Sequence, residues 1–125
     1  MTKIKESSTR NFNKNLAEEQ CPVTFAMNKI GNHWKPIILY HLMSGSKRYS
    51  ELRKAIPAVT EKMLIQHLKQ LQDDEIVARH AEPVVPPFVT YSLTPVGKKL
   101  APILEAMATW GIAERKRKNT VAKRA

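Results

Sequence analysis

Tyr49-Ser50-Glu51-Leu52-Arg53-Lys54-Ala55-Ile56-Pro57-Ala58-Val59-Thr60-Glu61-Lys62-Met63-Leu64-Ile65-Gln66-His67-Leu68-Lys69-Gln70-Leu71-Gln72 is the stretch on which the fold turns. Ser50 has the short hydroxyl side chain that caps a helix start, and Pro57 biases Ile56 away from helical backbone. A helix of about two turns is expected between them. Pro57-Ala58-Val59 reads as a turn and Thr60 as a second cap, and the residues from Glu61 to about Gln72 are good helix formers. Two helices across so short a turn make a helix-turn-helix.

Upstream, Pro22 suits a first helical turn, Val23, Ala26, Met27 and Ile30 recur at three- and four-residue steps, and Gly31 closes the segment. A second helix runs from Trp34 to about Met43 with Pro36 in its opening turn, and Ser44-Gly45 stops it. Downstream, Ile76 to Ala81 and Phe88 to Leu93 read as strands, the second alternating Val89, Tyr91 and Leu93 against Thr90 and Ser92. Pro83, Pro86 and Pro87 cannot donate to a ladder, so 82–87 is expected to be the exposed tip of a hairpin, a wing. Thr94 and Pro95 then open a long helix whose Leu100, Ile103, Leu104, Met107 and Trp110 fall on one stripe. The expected chain is mainly α with a small β-hairpin: an N-terminal arm (1–20), a winged helix-turn-helix domain (21–114) and a basic tail (115–125). The apolar stripe exceeds what a small three-helix core needs, so the domain is expected to form a homodimer through its terminal helices.

Stepping about 100° per residue from Leu64 sets Leu64, Leu68 and Leu71 within about 60° of one another, with Lys62, Gln66 and Lys69 at about 160°, 200° and 140°. One face anchors. The other carries long hydrogen-bonding side chains of the kind that read base edges in a major groove. A solvated helix face has the same composition, and what favours the DNA reading is the local charge. Lys47, Arg48, Arg53, Lys54, Lys62 and Lys69 stand against only Glu51 and Glu61. The net charge of +10 favours a polyanionic partner, but Arg115, Lys116, Arg117, Lys118, Lys123 and Arg124 supply six of those charges, and such a run is either a solvated end or a phosphate grip.

Cys21-Pro22-Val23, Ile30-Gly31-x-x-Trp34-Lys35-Pro36-Ile37-Ile38-Leu39, Arg48-Tyr49-Ser50-Glu51-Leu52, Pro86-Pro87-x-Val89-x-Tyr91-Ser92-Leu93-Thr94 and Trp110-Gly111, in that order, resemble the HxlR-type family of winged helix-turn-helix transcriptional regulators. The resemblance runs from about Cys21 to Gly111. It implies a homodimer on a near-palindromic duplex operator, with DNA contacts at Thr60, Lys62, Gln66 and Lys69, phosphate neighbours at Lys47, Arg48, Tyr49 and Ser50, and Arg79 with the wing in the minor groove. Ile65 and His67 depart from the hydroxyl and Arg common at those places. It also offers Cys21 as a redox or electrophile sensor, against the alternative of a small packing residue; the helix start implied by Pro22 would favour its thiolate.

One cysteine excludes an intramolecular disulfide, and His33, His41, His67 and His80 show no paired ligand spacing, so no metal or other cofactor is expected. Four glycines, none in a phosphate-cradling loop, and no nucleophile with a base argue against an enzyme. No N-terminal signal-like run and no membrane-spanning apolar stretch is found, so a cytoplasmic protein on the nucleoid is expected. An oxidant or small-molecule effector remains open. The competing function is a nonspecific basic nucleic-acid binder, either chromosome-coating or RNA-binding.

Overall fold

The computed structural model describes residues 20–86 and 88–124; the expected arm lies outside them, apart from Gln20, and so does Pro87 of the hairpin tip. Two compact units divide at His33/Trp34.

In the first unit, α1 (Pro22–Ile30) begins at Cys21 with Pro22 in its first turn, as expected. Gly31 ends it, donating its N–H to the Met27 carbonyl at 2.7 Å, and a Cβ there would meet that oxygen at 2.3 Å. Of the expected apolar stripe only Ile30 is buried, while Val23 and Met27 are exposed, as is Phe25, over whose ring the Lys29 ammonium lies at 5.6 Å.

The second unit runs α2 (Trp34–Leu42), β1 (Lys47–Arg48), α3 (Tyr49–Ala55), α4 (Glu61–Asp73), β2 (Val77–Glu82), β3 (Phe88–Leu93), α5 (Pro95–Lys98) and α6 (Ala101–Arg124). Its core joins Ile38, Leu39 and Leu42 of α2 to Leu52 and Ile56 around α3, Val59 in the turn, Leu64, Leu68 and Leu71 of α4, Ile76, Val77 and Leu93 of the hairpin, and Leu104 of α6. The helix-turn-helix is where the sequence places it, with one correction. The residue that caps α3 is Arg48, whose backbone N–H is held at 2.8 Å by Glu51, while Ser50 sits inside the helix. A carboxylate three residues into a helix reaches back in this way whatever the side chain at the cap.

Three strands form the sheet, in the order β1-β3-β2, all antiparallel. The first has only two residues and carries no periodicity that a sequence pattern could detect. β2 begins one residue later than expected because Ile76 closes the end of α4: Glu75, at φ 59°, gives its N–H to Gln72, and Ile76 gives its own to Leu71, both at 2.9 Å. This is a Schellman closure with a glutamate in the left-handed position glycine normally takes.

The long terminal helix is not continuous. Thr94 caps α5, accepting the Gly97 N–H at 3.0 Å, and its hydroxyl also reaches the carbonyls of Glu75 and Ile76. A Cβ on Gly97 would sit 2.2 Å from the Ile76 carbonyl oxygen, so glycine is what lets α5 approach the end of α4. α6 starts afresh at Ala101 and runs through the basic segment to Arg124 without a break, so residues 115–124 are its last turns.

Candidate nucleic-acid interface

Thr60 opens α4 by accepting the Met63 N–H at 3.2 Å on its hydroxyl, and from there the helix divides as its periodicity requires. Leu64, Leu68 and Leu71 are buried, and Lys62, Gln66 and Lys69 are exposed in a row on the opposite side. Among the described residues, none pairs with these three side chains. Ile65, 53% exposed, stands beside Gln66 on this outward side. An apolar side chain there can meet a thymine methyl, a contact the sequence reading passed over although it had marked position 65 as unusual. His67, marked for the same reason, points inward. It is 8% exposed, with its pKa lowered by burial and by the charge of Lys35, which is itself buried.

The sheet assembles the second group of cations. In register, Lys47 of β1 and Arg79 of β2 flank Tyr91 of β3, which puts the two basic residues about 10 Å apart, two strand spacings, on one face of the sheet. Lys47 also donates to the Ser44 hydroxyl at 3.0 Å. Arg48 is on the other face, its guanidinium 4.3 Å from the centre of the Phe88 ring. This cation–π contact orients the side chain toward the wing and leaves it exposed. At the hairpin, His80 meets Glu82 at 3.0 Å.

Ser50 is exposed in the first turn of α3, but Tyr49 is placed differently from the expectation that put it near phosphates. Its hydroxyl is shut off from water, and burial together with the charge of Glu61 pushes its pKa up. The ring therefore serves the inside of the helix-turn-helix. The stripe on α6 also divides. Leu104 belongs to the core and Leu100, just before the helix, is half-buried, whereas Ile103, Met107 and Trp110 are exposed, Trp110 to 70%. Cys21 is exposed and free, and the Thr24 hydroxyl with the backbone amides of Thr24 and Val23 holds its thiol below the usual cysteine range.

A helix-turn-helix with a polar outward face on its second helix, followed by a hairpin carrying cations, defines a winged helix-turn-helix protein. The chain belongs to the HxlR-like helix-turn-helix family, whose model matches residues 29–119, and so to a family of transcriptional regulators. It is 44% identical over 98 residues to the HTH-type transcriptional regulator YybR of Bacillus subtilis, covering 78% of each chain. Among solved structures it is similar to the redox regulator HypR in its oxidized form, with 44% identity, TM-score 0.73, and 74% of this chain and 96% of that chain covered. It is also similar to diamide-treated YodB of B. subtilis, with 36% identity, TM-score 0.63, and 74% and 93% covered. Among the described residues no helix is long and apolar enough to cross a membrane.

Proposed function

We propose that the chain is a sequence-specific transcriptional regulator that binds a near-palindromic duplex operator as a homodimer, acting on the nucleoid in the cytoplasm. The observation that carries this reading is the outward row Lys62, Gln66 and Lys69 on a helix anchored by three buried leucines. Gln66 offers a bidentate pair to an adenine edge, the lysines reach guanine or phosphate, and Thr60 and Ser50 contribute at the helix starts. Lys47, Arg48 and Arg79 supply sequence-independent phosphate and minor-groove charge. Dimerisation is supported by apolar side chains exposed on both terminal helices: Ile103, Met107 and Trp110 on α6, and Val23, Phe25 and Met27 on α1. Leu104 is used by the chain's own core, and Leu100 is half-buried.

Competition between a duplex selected by the protein from a random pool and mixed-sequence DNA tests the reading. A regulator prefers the selected site by about a thousandfold or more, and a coating protein shows little preference.

Control by thiol chemistry is supported by the exposed, thiolate-favouring Cys21 and by the likeness to a structure described as a redox regulator. With one cysteine per chain, the lasting products are a mixed disulfide with a small thiol, an electrophile adduct, or a Cys21 to Cys21 bridge between subunits. Diamide should weaken operator binding by the unsubstituted protein and leave Cys21→Ser unaffected. Equal effects on both proteins would remove Cys21 as the sensor.

A further inference from the structure

By sequence Arg53 is one of the cations of the helix-turn-helix, but the structure gives its guanidinium a specific use. It is half-buried and donates through a terminal nitrogen to the backbone carbonyl of Val59, six residues on, in the turn between α3 and α4. Val59 is 1% exposed and is the last residue before the Thr60 cap. Its carbonyl precedes the first intrahelical acceptor of α4, the Thr60 carbonyl that takes the Leu64 N–H at 2.9 Å. The amide in register for the Val59 oxygen, that of Met63, is taken by the Thr60 hydroxyl instead, and a carbonyl of a buried residue with no donor is costly. Arg53 fills that vacancy from the preceding helix. On the same face of α3, one turn earlier, Tyr49 turns its enclosed hydroxyl toward Glu61, the first residue of α4. The two helices are thus joined by the Arg53 hydrogen bond as well as by the Leu52, Ile56 and Val59 packing.

We propose that Arg53 is a positioning residue for recognition: anchored on the Val59 carbonyl, it fixes the first turn of α4 against α3 and so sets the angle at which Lys62, Gln66 and Lys69 are presented. It does not touch DNA. This rests on the DNA-binding reading for its consequence, though the contact itself is testable without DNA.

The first measurement is amide hydrogen exchange on the free protein with Arg53→Met, which keeps the apolar stem and removes every donor. The amides of Met63 and Leu64, in the first turn of α4, should exchange at least about tenfold faster, the loss of one buried hydrogen bond, while that of Asp74 at the far end holds. The second is affinity for a duplex selected by the unsubstituted protein against mixed-sequence DNA, across a salt series. Arg53→Met should lower the preference for the selected duplex about tenfold without changing the salt slope, and Arg53→Lys, which keeps a donating ammonium without the guanidinium's reach, should lie between. If Arg53→Met does not fold, Arg53→Lys carries both measurements. Exchange unchanged in the first turn, or accelerated equally along α4, overturns the proposal. So does an equal loss on both DNAs with the salt slope reduced by about 0.9, the mark of one lost phosphate contact. If the unsubstituted protein fails to distinguish the two DNAs, the DNA-binding reading falls, and exchange still decides whether Arg53 holds the turn.

Discussion

α4 and α6 each bury one side and expose the other, but the exposed sides are made of opposite materials. On α4, Leu64, His67, Leu68 and Leu71 face inward, and the outward side is Lys62, Gln66 and Lys69 with Ile65 between them. On α6 the buried side is reduced to Leu104 with half-buried Ala108 and Gly111, and it is the outward side that holds the large apolar groups Ile103, Met107 and Trp110. An exposed polar row has water for a partner until a base edge or phosphate replaces it. A run of exposed apolar side chains is itself a sign of protein contact. The same amphipathic period thus exposes a polar row on one helix and an apolar run on the other, which on the proposed reading serve recognition of DNA and self-association.

The largest expected effect separates the two helices most sharply. Leu68→Ala removes a fully enclosed side chain and should cost about 2–5 kcal/mol of folding stability in a denaturant titration. Trp110→Ala should leave the folding of the single chain within about 0.5 kcal/mol and weaken self-association by about 2 kcal/mol or more, read by sedimentation. If Trp110→Ala unfolds the chain without altering its association, α6 is a core element and the contrast fails.

The junction between the two helices gives the next effect. Gly97→Ala forces a methyl into the Ile76 carbonyl, and overpacking of this kind costs about 1–3 kcal/mol. A neutral Gly97→Ala would mean that α5 can slide along the end of α4, and that the two surfaces are not fixed relative to one another. On the DNA side, Gln66→Ala should cost about 1–3 kcal/mol at one operator base pair, and Lys47→Ala should weaken binding to every sequence alike. Equal losses on selected and mixed DNA for Gln66→Ala would deny the α4 face its reading role.

The helix-turn-helix was legible because its signals are local: a hydroxyl cap at Thr60, a proline after Ile56, and leucines at helical spacing. What escaped depended on residues distant in sequence. β1 exists because Lys47 and Arg48 pair with Tyr91 and Thr90, and the close approach at Gly97 is to Ile76, some twenty positions earlier. The stripe on α6 could be read as a face, but only the packing of α2 against it decides that Leu104 is covered and Trp110 is not. Ser50 has the side-chain chemistry of a cap, whereas Arg48 caps α3 only through the Glu51 carboxylate three residues on. The resemblance places Tyr49 near phosphates and composition counts Arg53 in the local basic excess, and only the burial of the Tyr49 hydroxyl and the position of the Val59 carbonyl give them inward roles.

The smallest effect concerns pH and comes from the one ionisable side chain on the buried face of α4. His67 is enclosed beside Lys35, and both burial and that ammonium disfavour the imidazolium, so its pKa in the folded chain lies below the ordinary value. In the unfolded chain the imidazole titrates near pH 6.5. Between the depressed folded value and about 6.5 the unfolded state therefore binds more protons, and acid favours it. The neutral His67 contribution to stability is complete above about pH 6.5 and is lost as pH falls through the folded value, opposite in sign to a histidine that gains a carboxylate partner. Denaturant titrations between pH 7.5 and 5 should show stability declining with acid, and His67→Gln, which can keep a hydrogen bond but cannot be protonated, should remove that part of the slope. A slope unchanged in His67→Gln would assign the decline to other groups. A stability that rises with acid in the unsubstituted protein would mean that His67 is charged where it stands, with an anionic partner in place of the influence of Lys35.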